Sequence, residues 1–144
     1  MRICDNCGFT LADDDFIQFL KDQKVGVLTS CPSGENNSFA KLVGIDNYKV
    51  FESKVKKLVD AGVKCTINMV VTKDNLHEIR LTAEKMKALG CKSFAATPMG
   101  LNVEYPRLDL LLSVEEVRKV VADLLWIEEN LKMKVDILEA LPKC

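Results

Sequence analysis

The sequence predicts an α/β protein in which short strands and longer helices alternate and the strands form a parallel sheet. Short segments rich in β-branched and apolar residues alternate with segments whose apolar residues recur every three or four positions. Clusters of turn-forming residues separate most of them. The 144 residues, 48% hydrophobic and 28% charged, have the size and composition of one globular domain. Because parallel neighbours need crossover helices, this order favours either a doubly wound layer or part of a (β/α) barrel.

The first half of the chain predicts three strands and two helices. Residues 1–7 predict a strand, and residues 12–23 a helix built on Phe16, Ile17 and Leu20. The second strand, residues 24–30, is closed by the turn-forming cluster CPSGENNS. The next helix is predicted from apolar residues at helical spacing, namely Tyr48, Phe51, Val55, Leu58 and Val59. Gly62 is placed to end it in a left-handed conformation, and the third strand, residues 63–72, follows.

The second half predicts two more helix–strand pairs. Asn75 and Glu78 have the spacing of a capping box, and their helix stops at Gly90 before a strand over residues 91–98. Ser113 and Glu116 repeat that spacing ahead of the last helix, which a strand over residues 134–141 follows. The core face of the fourth predicted helix comprises Leu76, Ile79, Ala83, Met86 and Leu89. The core face of the last helix comprises Val117, Val120, Val121, Leu124, Leu125, Glu128 and Leu131.

The third predicted strand has one apolar and one polar face. Val63, Cys65, Ile67, Met69 and Val71 alternate with a row that contains Thr66 and Asn68. A parallel strand covered on both sides should be apolar on both faces. The polar row therefore fits a strand that lines a wet cavity, as in a barrel, and an edge strand fits it equally well. In the barrel, Thr66 and Asn68 face the concave side.

Charge and composition exclude several classes of function. The net charge of −1 and a pI near 5.9 do not suggest a nucleic-acid or polybasic membrane surface. No apolar run is long enough to span a bilayer, and residues 1–9 do not resemble a secretory signal, so we expect a cytoplasmic protein. His77 is the single histidine, and the sequence contains no P-loop motif. The sequence therefore does not indicate a histidine-dependent hydrolase site or a P-loop nucleotide site.

Six cysteines are many for a cytoplasmic domain of this size. Cys65 and Cys91 lie in apolar surroundings, where free cysteine behaves as a small hydrophobe. Cys4 and Cys7 have the spacing of half a zinc site, but the sequence holds no second such pair. A redox role for this pair stays open. Function in α/β folds lies at the carboxyl ends of the strands, which here contribute small polar residues around residues 29–31, 68–72 and 97–98.

Several segments together resemble one enzyme family. They are NCGFTLADDDFIQFLKDQKV, KVGVLTSCPS, FAKLVGIDNYKVFESKVKKLVDAGVKCTINMVVTKDNLHEI, MKALGCKSFAATP and LEALPKC. They are similar to the second half of a radical S-adenosylmethionine (radical SAM) enzyme, in particular the branch with a C-terminal SPASM domain. The resemblance implies an incomplete (β/α) barrel over residues 1–141, with residues 142–144 beginning a truncated C-terminal extension. The family's CxxxCxxC motif is absent from the sequence. We expect a fragment of a larger enzyme, with a naturally shortened relative as the alternative.

The resemblance also implies site residues and cofactors. Thr29 matches a hydroxyl residue that contacts SAM, Asn6 matches an asparagine at a strand end, and Asn68 lies on the strand that contributes to the SAM pocket. Cys144 resembles the first cysteine of the auxiliary-cluster region. The chain departs from the family at Cys31, where aspartate is usual, and at Val43, where many members have arginine.

The implied function is that of a fragment of a radical SAM enzyme of the peptide- or protein-modifying type. The full-length protein would use SAM and a [4Fe–4S] cluster on a peptide or small-molecule substrate, whereas this chain by itself is expected to bind no cofactor and to be inactive. An open sheet edge would promote self-association. The alternatives are a non-catalytic α/β binding or scaffold module, and a thiol-redox protein that uses Cys4 and Cys7.

Overall fold

The computed structural model describes the backbone of residues 2–5 and the structure of residues 12–101, 104 and 106–138. The strands are β1 (Arg2–Asp5), β2 (Gly26–Ser30), β3 (Cys65–Val71), β4 (Ser93–Pro98) and β5 (Lys134–Asp136). The helices are α1 (Asp14–Asp22), α2 (Asn36–Val43), α3 (Tyr48–Asp60), α4 (Ile79–Ala88) and α5 (Val114–Leu131). Short 3₁₀ turns, Leu76–Glu78 and Leu108–Leu110, precede α4 and α5.

The five strands form one parallel sheet in the order β1-β2-β3-β4-β5, which confirms the predicted α/β class. Strand β3 is therefore the middle strand, and its interpretation as an edge strand was wrong. None of the described helices is long and apolar enough to cross a membrane.

Local signals placed several boundaries correctly. Gly62 and Gly90 follow the ends of α3 and α4 with φ of +82° and +94°, the left-handed region that glycine occupies without a Cβ penalty. At α5 the Ser113 hydroxyl accepts the Glu116 N–H at 3.2 Å, and the Glu116 carboxylate accepts the Ser113 N–H at 2.6 Å. The capping box predicted there is confirmed.

Other local predictions were wrong. Helix α2 forms within and after the segment that had been interpreted as turn-forming, and Glu35 caps it by accepting the Ser38 N–H at 2.7 Å. Asn75 makes no capping hydrogen bond to the helix that follows it. In α5 the side chains of Leu125 and Glu128 are exposed, while Asp123 and Ile127 are buried. The Asp123 carboxylate is neutralised there by Arg80 on α4 and by Lys119. On α1, Phe16 is exposed rather than buried.

The sheet buries one face much more completely than the other. Residues paired across a parallel ladder share a face, so the register places Val27, Cys65 and Phe94 on the same side as Ile67 and Met69. These residues form a single hydrophobic core with the buried residues of all five helices. The prediction that Cys65, Ile67 and Met69 pack against helices is confirmed. The opposite side, called here the open face, is lined mainly by Leu28, Ser30, Thr66, Asn68, Val70, Ser93, Ala95 and Thr97.

Candidate functional site

Three polar side chains meet on the open face: Ser30 at the carboxyl end of β2, Asn68 in the middle of β3 and Thr97 near the carboxyl end of β4. Ser30 and Asn68 are direct neighbours in the β2–β3 register, and Asn68 pairs with Ala95 on β4. Thr97 lies two residues beyond Ala95 and donates a 3.0 Å hydrogen bond from Oγ1 to Asn68 Oδ1. The Leu138 N–H donates to the same Thr97 oxygen at 3.2 Å. These contacts fix the orientation of the Asn68 amide.

Two polar groups of this cluster are left available. Among the described residues, neither the Ser30 hydroxyl nor the Asn68 Nδ2 makes a hydrogen bond, and both side chains are only half-buried. Ala95, the β4 partner of Asn68, carries only a methyl group and is completely buried. The hydroxyl can donate and accept, and the amide NH₂ can donate twice. This arrangement can bind hydroxyl or carboxylate groups of a ligand.

The loops beside this cluster are held together by Asn75. Its Oδ1 accepts the Thr72 N–H at 2.8 Å, and its Nδ2 donates to the carbonyls of Pro32 and Val70, both at 2.9 Å. The Asn75 side chain is almost completely buried. It therefore ties the loop after β2 to the loop after β3, instead of capping a helix.

The loop after β2 is also anchored to α4. The Gly34 N–H donates to Thr82 Oγ1 at 2.9 Å, and a Cβ on Gly34 would lie only 2.8 Å from the Thr82 Cα. The Ser38 hydroxyl donates to Glu78 Oε1 at 2.6 Å, so the carboxylate predicted to cap a helix instead binds α2. These contacts give the carboxyl edge of the sheet a rigid support on one side.

The four predicted site residues do not all lie in the polar cluster. Asn68 lies at the centre of the polar cluster. The Thr29 side chain is buried, 1% exposed, on the helix-covered face, because Thr29 pairs with Ile67. Asn6 and Cys144 lie outside the described residues. Sequence reasoning did not select Ser30 as a ligand contact, although its place one residue after Thr29 puts it on the opposite face of the strand.

The three described thiols are buried, and their pKa values shift in different directions: that of Cys91 is lowered by a hydrogen bond with Cys65, while those of Cys31 and Cys65 are raised. Burial raises the pKa of the Cys31 thiol to about 12, and this thiol donates to the Ser33 carbonyl at 3.1 Å. A hydrogen bond with Cys91, together with burial, raises the pKa of Cys65 well above its usual range. Within the described ranges, no three His, Cys, Asp or Glu side chains are grouped so that they could hold a metal ion. Cys4 lies in β1, and Cys7 lies outside the described residues.

The fold and site together define a parallel α/β sheet with helices on one face and a cluster of polar side chains, Ser30, Asn68 and Thr97, on the other. Structural comparison shows that this fold is similar to part of the barrel of radical SAM enzymes. SuiB of Streptococcus suis bound to S-adenosylmethionine superposes with a TM-score of 0.80 at 14% identity, over 96% of this chain and 33% of SuiB. The protein anSMEcpe with bound AdoMet and Kp18Cys peptide gives a TM-score of 0.74 at 19% identity, over 93% of this chain and 39% of that one.

A third similar structure is shorter. A domain of a pyruvate-formate lyase-activating enzyme from Bacteroides vulgatus gives a TM-score of 0.68 at 13% identity, over 96% of this chain and 80% of that domain. The chain thus spans only about a third to two fifths of SuiB and anSMEcpe. No protein-family model matches the sequence, and comparison with curated proteins finds no match.

Proposed function

We propose that this chain forms one part of a radical SAM-type barrel and that its open face contributes to the SAM pocket. The observation that carries this proposal is the pair of available polar groups, Ser30 and Asn68, at the carboxyl edge of a sheet with this fold. Carboxyl edges of parallel strands are where α/β proteins bind their ligands. The resemblance of the quoted sequence segments to the radical SAM family supports the same proposal independently of the coordinates.

The residues present fit SAM, which carries ribose hydroxyls, an amino group and a carboxylate. Asn68 Oδ1 is already occupied by Thr97, so the Asn68 side chain would bind SAM by donating from Nδ2. Ser30 would donate to or accept from an adjacent SAM oxygen or amine. The Thr29 side chain lies on the other face and its backbone is paired with the neighbouring strands, so Thr29 would act by placing Ser30 beside Asn68. When bound, SAM would supply the carbon radical that such enzymes use on their substrates.

The residues present do not fit a [4Fe–4S] cluster. The sequence contains no CxxxCxxC spacing, and the described thiols are buried within the helix-covered core or beside it. We therefore derive no step through a cluster on this chain, and propose that the cluster is held by polypeptide outside this sequence. Asn6 and Cys144 keep the roles implied by the family resemblance, a pocket residue and an auxiliary-cluster ligand of the complete enzyme.

The substrate class that we propose for the complete enzyme is a peptide or protein, as in the SPASM-containing branch. One structure with this fold, anSMEcpe, has a bound peptide as well as AdoMet, and this supports the proposal by analogy. The missing cluster motif favours a second candidate, a non-catalytic α/β module that binds a ligand on the same face. SAM binding distinguishes the two, because the second candidate does not require it.

SAM binding is tested by titrating the ¹⁵N-labelled chain with SAM up to millimolar concentration. Although the family resemblance implied no cofactor on the isolated chain, the available groups of Ser30 and Asn68 lead us to expect weak but saturable shifts of the amide resonances of Ser30, Asn68 and Thr97. The variant Asn68→Leu keeps the size of the side chain and removes both amide functions, so it should weaken SAM binding about tenfold or more, which corresponds to ~1.4 kcal/mol. Ser93→Ala is the matched control, because Ser93 lies on the same face at the other end of β4.

Two results would contradict the proposal. One is the absence of shifts at the carboxyl edge with SAM, which would leave the non-catalytic module. The other is equal weakening by Asn68→Leu and Ser93→Ala, which would mean that the response does not come from this cluster. In a separate assay with SAM and a strong reductant, we expect no 5′-deoxyadenosine from this chain. Its formation would show that the chain holds a cluster after all.

A further inference from the structure

A cavity lies at the amino edge of the sheet. It has a volume of about 590 Å³ and is lined by residues at or just before the amino ends of β2, β3, β4 and β5. Its lining includes four lysines, Lys24, Lys64, Lys92 and Lys134. Thr66, which lines this cavity, lies two residues before Asn68 on the same face of β3, roughly 7 Å along the strand. The cavity is therefore a neighbouring site at the amino edge of the sheet, whereas the Ser30–Asn68 cluster lies beside the carboxyl end of β2.

The lysines of this cavity are not neutralised by neighbouring carboxylates. The lining contains no aspartate or glutamate, and none of the four lysines forms an ion pair among the described residues. Other lysines of the chain, such as Lys56 and Lys57, do pair with aspartates. The nearby Asp136 carboxylate accepts the Ile137 N–H at 2.9 Å. The chain as a whole carries a net charge of −1, so this positive cluster is a local feature.

Strand register explains why these lysines lie at the same edge of the sheet. Ser93 is paired with Thr66 on one side and with Lys134 on the other, which places Lys134 level with the start of β3 and β4. Lys64 and Lys92 immediately precede those two strands. Gly26 begins β2 in the same region, and a Cβ there would make only ordinary contacts, at 3.5 Å from the Lys64 oxygen. The absence of a side chain at Gly26 keeps the floor of the cavity open.

We propose that this cavity binds a small phosphate-bearing molecule of about nucleotide size. Lysine ammonium groups bind phosphate as mobile point charges, and several can surround one anion. Four neighbouring parallel strands span roughly 14 Å, at about 4.8 Å between strands, so the four lysines line one compact cavity. A volume of about 590 Å³ is within the range of small-molecule sites.

The experiment is a titration of the ¹⁵N-labelled full chain with inorganic pyrophosphate at low ionic strength. We expect saturable shifts of the amides of Gly26, Cys65 and Ser93, and none at Ser30 or Thr97, which lie four residues further along β2 and β4. The double variant Lys64→Gln/Lys134→Gln should weaken pyrophosphate binding about tenfold or more. The control, Lys41→Gln/Lys49→Gln, removes the same charge from the exposed surfaces of α2 and α3 and should leave binding unchanged.

Shifts that do not saturate, or an equal loss of affinity in both double variants, would overturn the proposal, because either result means unspecific attraction of an anion. If the cavity double variant does not fold, Gly26→Val replaces it. This variant fills the floor of the cavity without changing the charge. Weaker pyrophosphate binding by Gly26→Val would support the site, and unchanged binding would overturn it.

Discussion

Replacing Asn75 tests how the two loops at the carboxyl edge are held together. In Asn75→Ala, the Thr72 N–H loses its acceptor, and the carbonyls of Pro32 and Val70 lose their donor. Asn75 is 1% exposed, so water does not reach these groups without local rearrangement. Alanine also leaves a small cavity where the amide was.

The expected loss follows from these three hydrogen bonds. Each intramolecular hydrogen bond contributes about 1 kcal/mol net, and each buried partner left unsatisfied costs about 1–3 kcal/mol. We therefore expect Asn75→Ala to lower the free energy of unfolding by about 3 kcal/mol. Asn75→Asp keeps the shape and the acceptor oxygen, but it places a second oxygen against the Pro32 and Val70 carbonyls. This variant should be at least as destabilising at neutral pH and should recover in acid, where a protonated carboxyl can donate one hydrogen bond.

Urea unfolding followed by circular dichroism measures these differences. The control is Asn130→Ala, because the Asn130 side chain also bonds a carbonyl, that of Trp126 at 2.9 Å, but on the exposed surface of α5. We expect the control to cost less than about 0.5 kcal/mol. If Asn75→Ala costs no more than Asn130→Ala, or if Asn75→Asp gains nothing in acid, the role given to Asn75 is wrong.

Three further predictions concern packing, capping and thiol chemistry. Gly34→Ala should lower the free energy of unfolding by about 1–3 kcal/mol because its Cβ would meet the Thr82 backbone, whereas Gly26→Ala, which meets no close atom, should cost less. Ser113→Ala should cost about 1 kcal/mol. The hydrogen bond from the Ser113 N–H lowers the pKa of Glu116, so the stability that Glu116 contributes is present above its usual pKa and is lost as the pH falls through the lowered value. Glu116→Gln should thus be destabilising at neutral pH and neutral in strong acid, and a difference that is independent of pH would contradict this. Iodoacetamide should label Cys31 slowly at mildly alkaline pH and quickly in urea, as peptide mass spectrometry would show; equal rates would mean that this thiol is accessible in the folded chain.

Local sequence patterns predicted the elements that depend on neighbouring residues. The two-residue period of β3, the glycines after α3 and α4, and the capping box of α5 are each decided within a few residues of chain. Their physical causes, alternating side-chain direction, left-handed backbone and orphan helix N–H groups, act locally. The same patterns did not predict α2, because its polar first turn is stabilised by contacts of Gly34 and Ser38 with residues more than 35 positions away.

The candidate site also combines features that the local sequence decides with features that depend on distant contacts. The sequence by itself determined that β3 has a polar row and that Asn68 belongs to it. Only the tertiary structure decided that Ser30 and Thr97 join Asn68 and that the Thr29 side chain is buried on the other face. It also decided that Asn75 binds the loop after β2 and that Glu78 binds α2, instead of capping the helix that follows them. Strand register and loop contacts join residues that are far apart in the chain. Alternation along a strand divides its side chains between two faces, but the pairing of the strands decides which residues of neighbouring strands share a face.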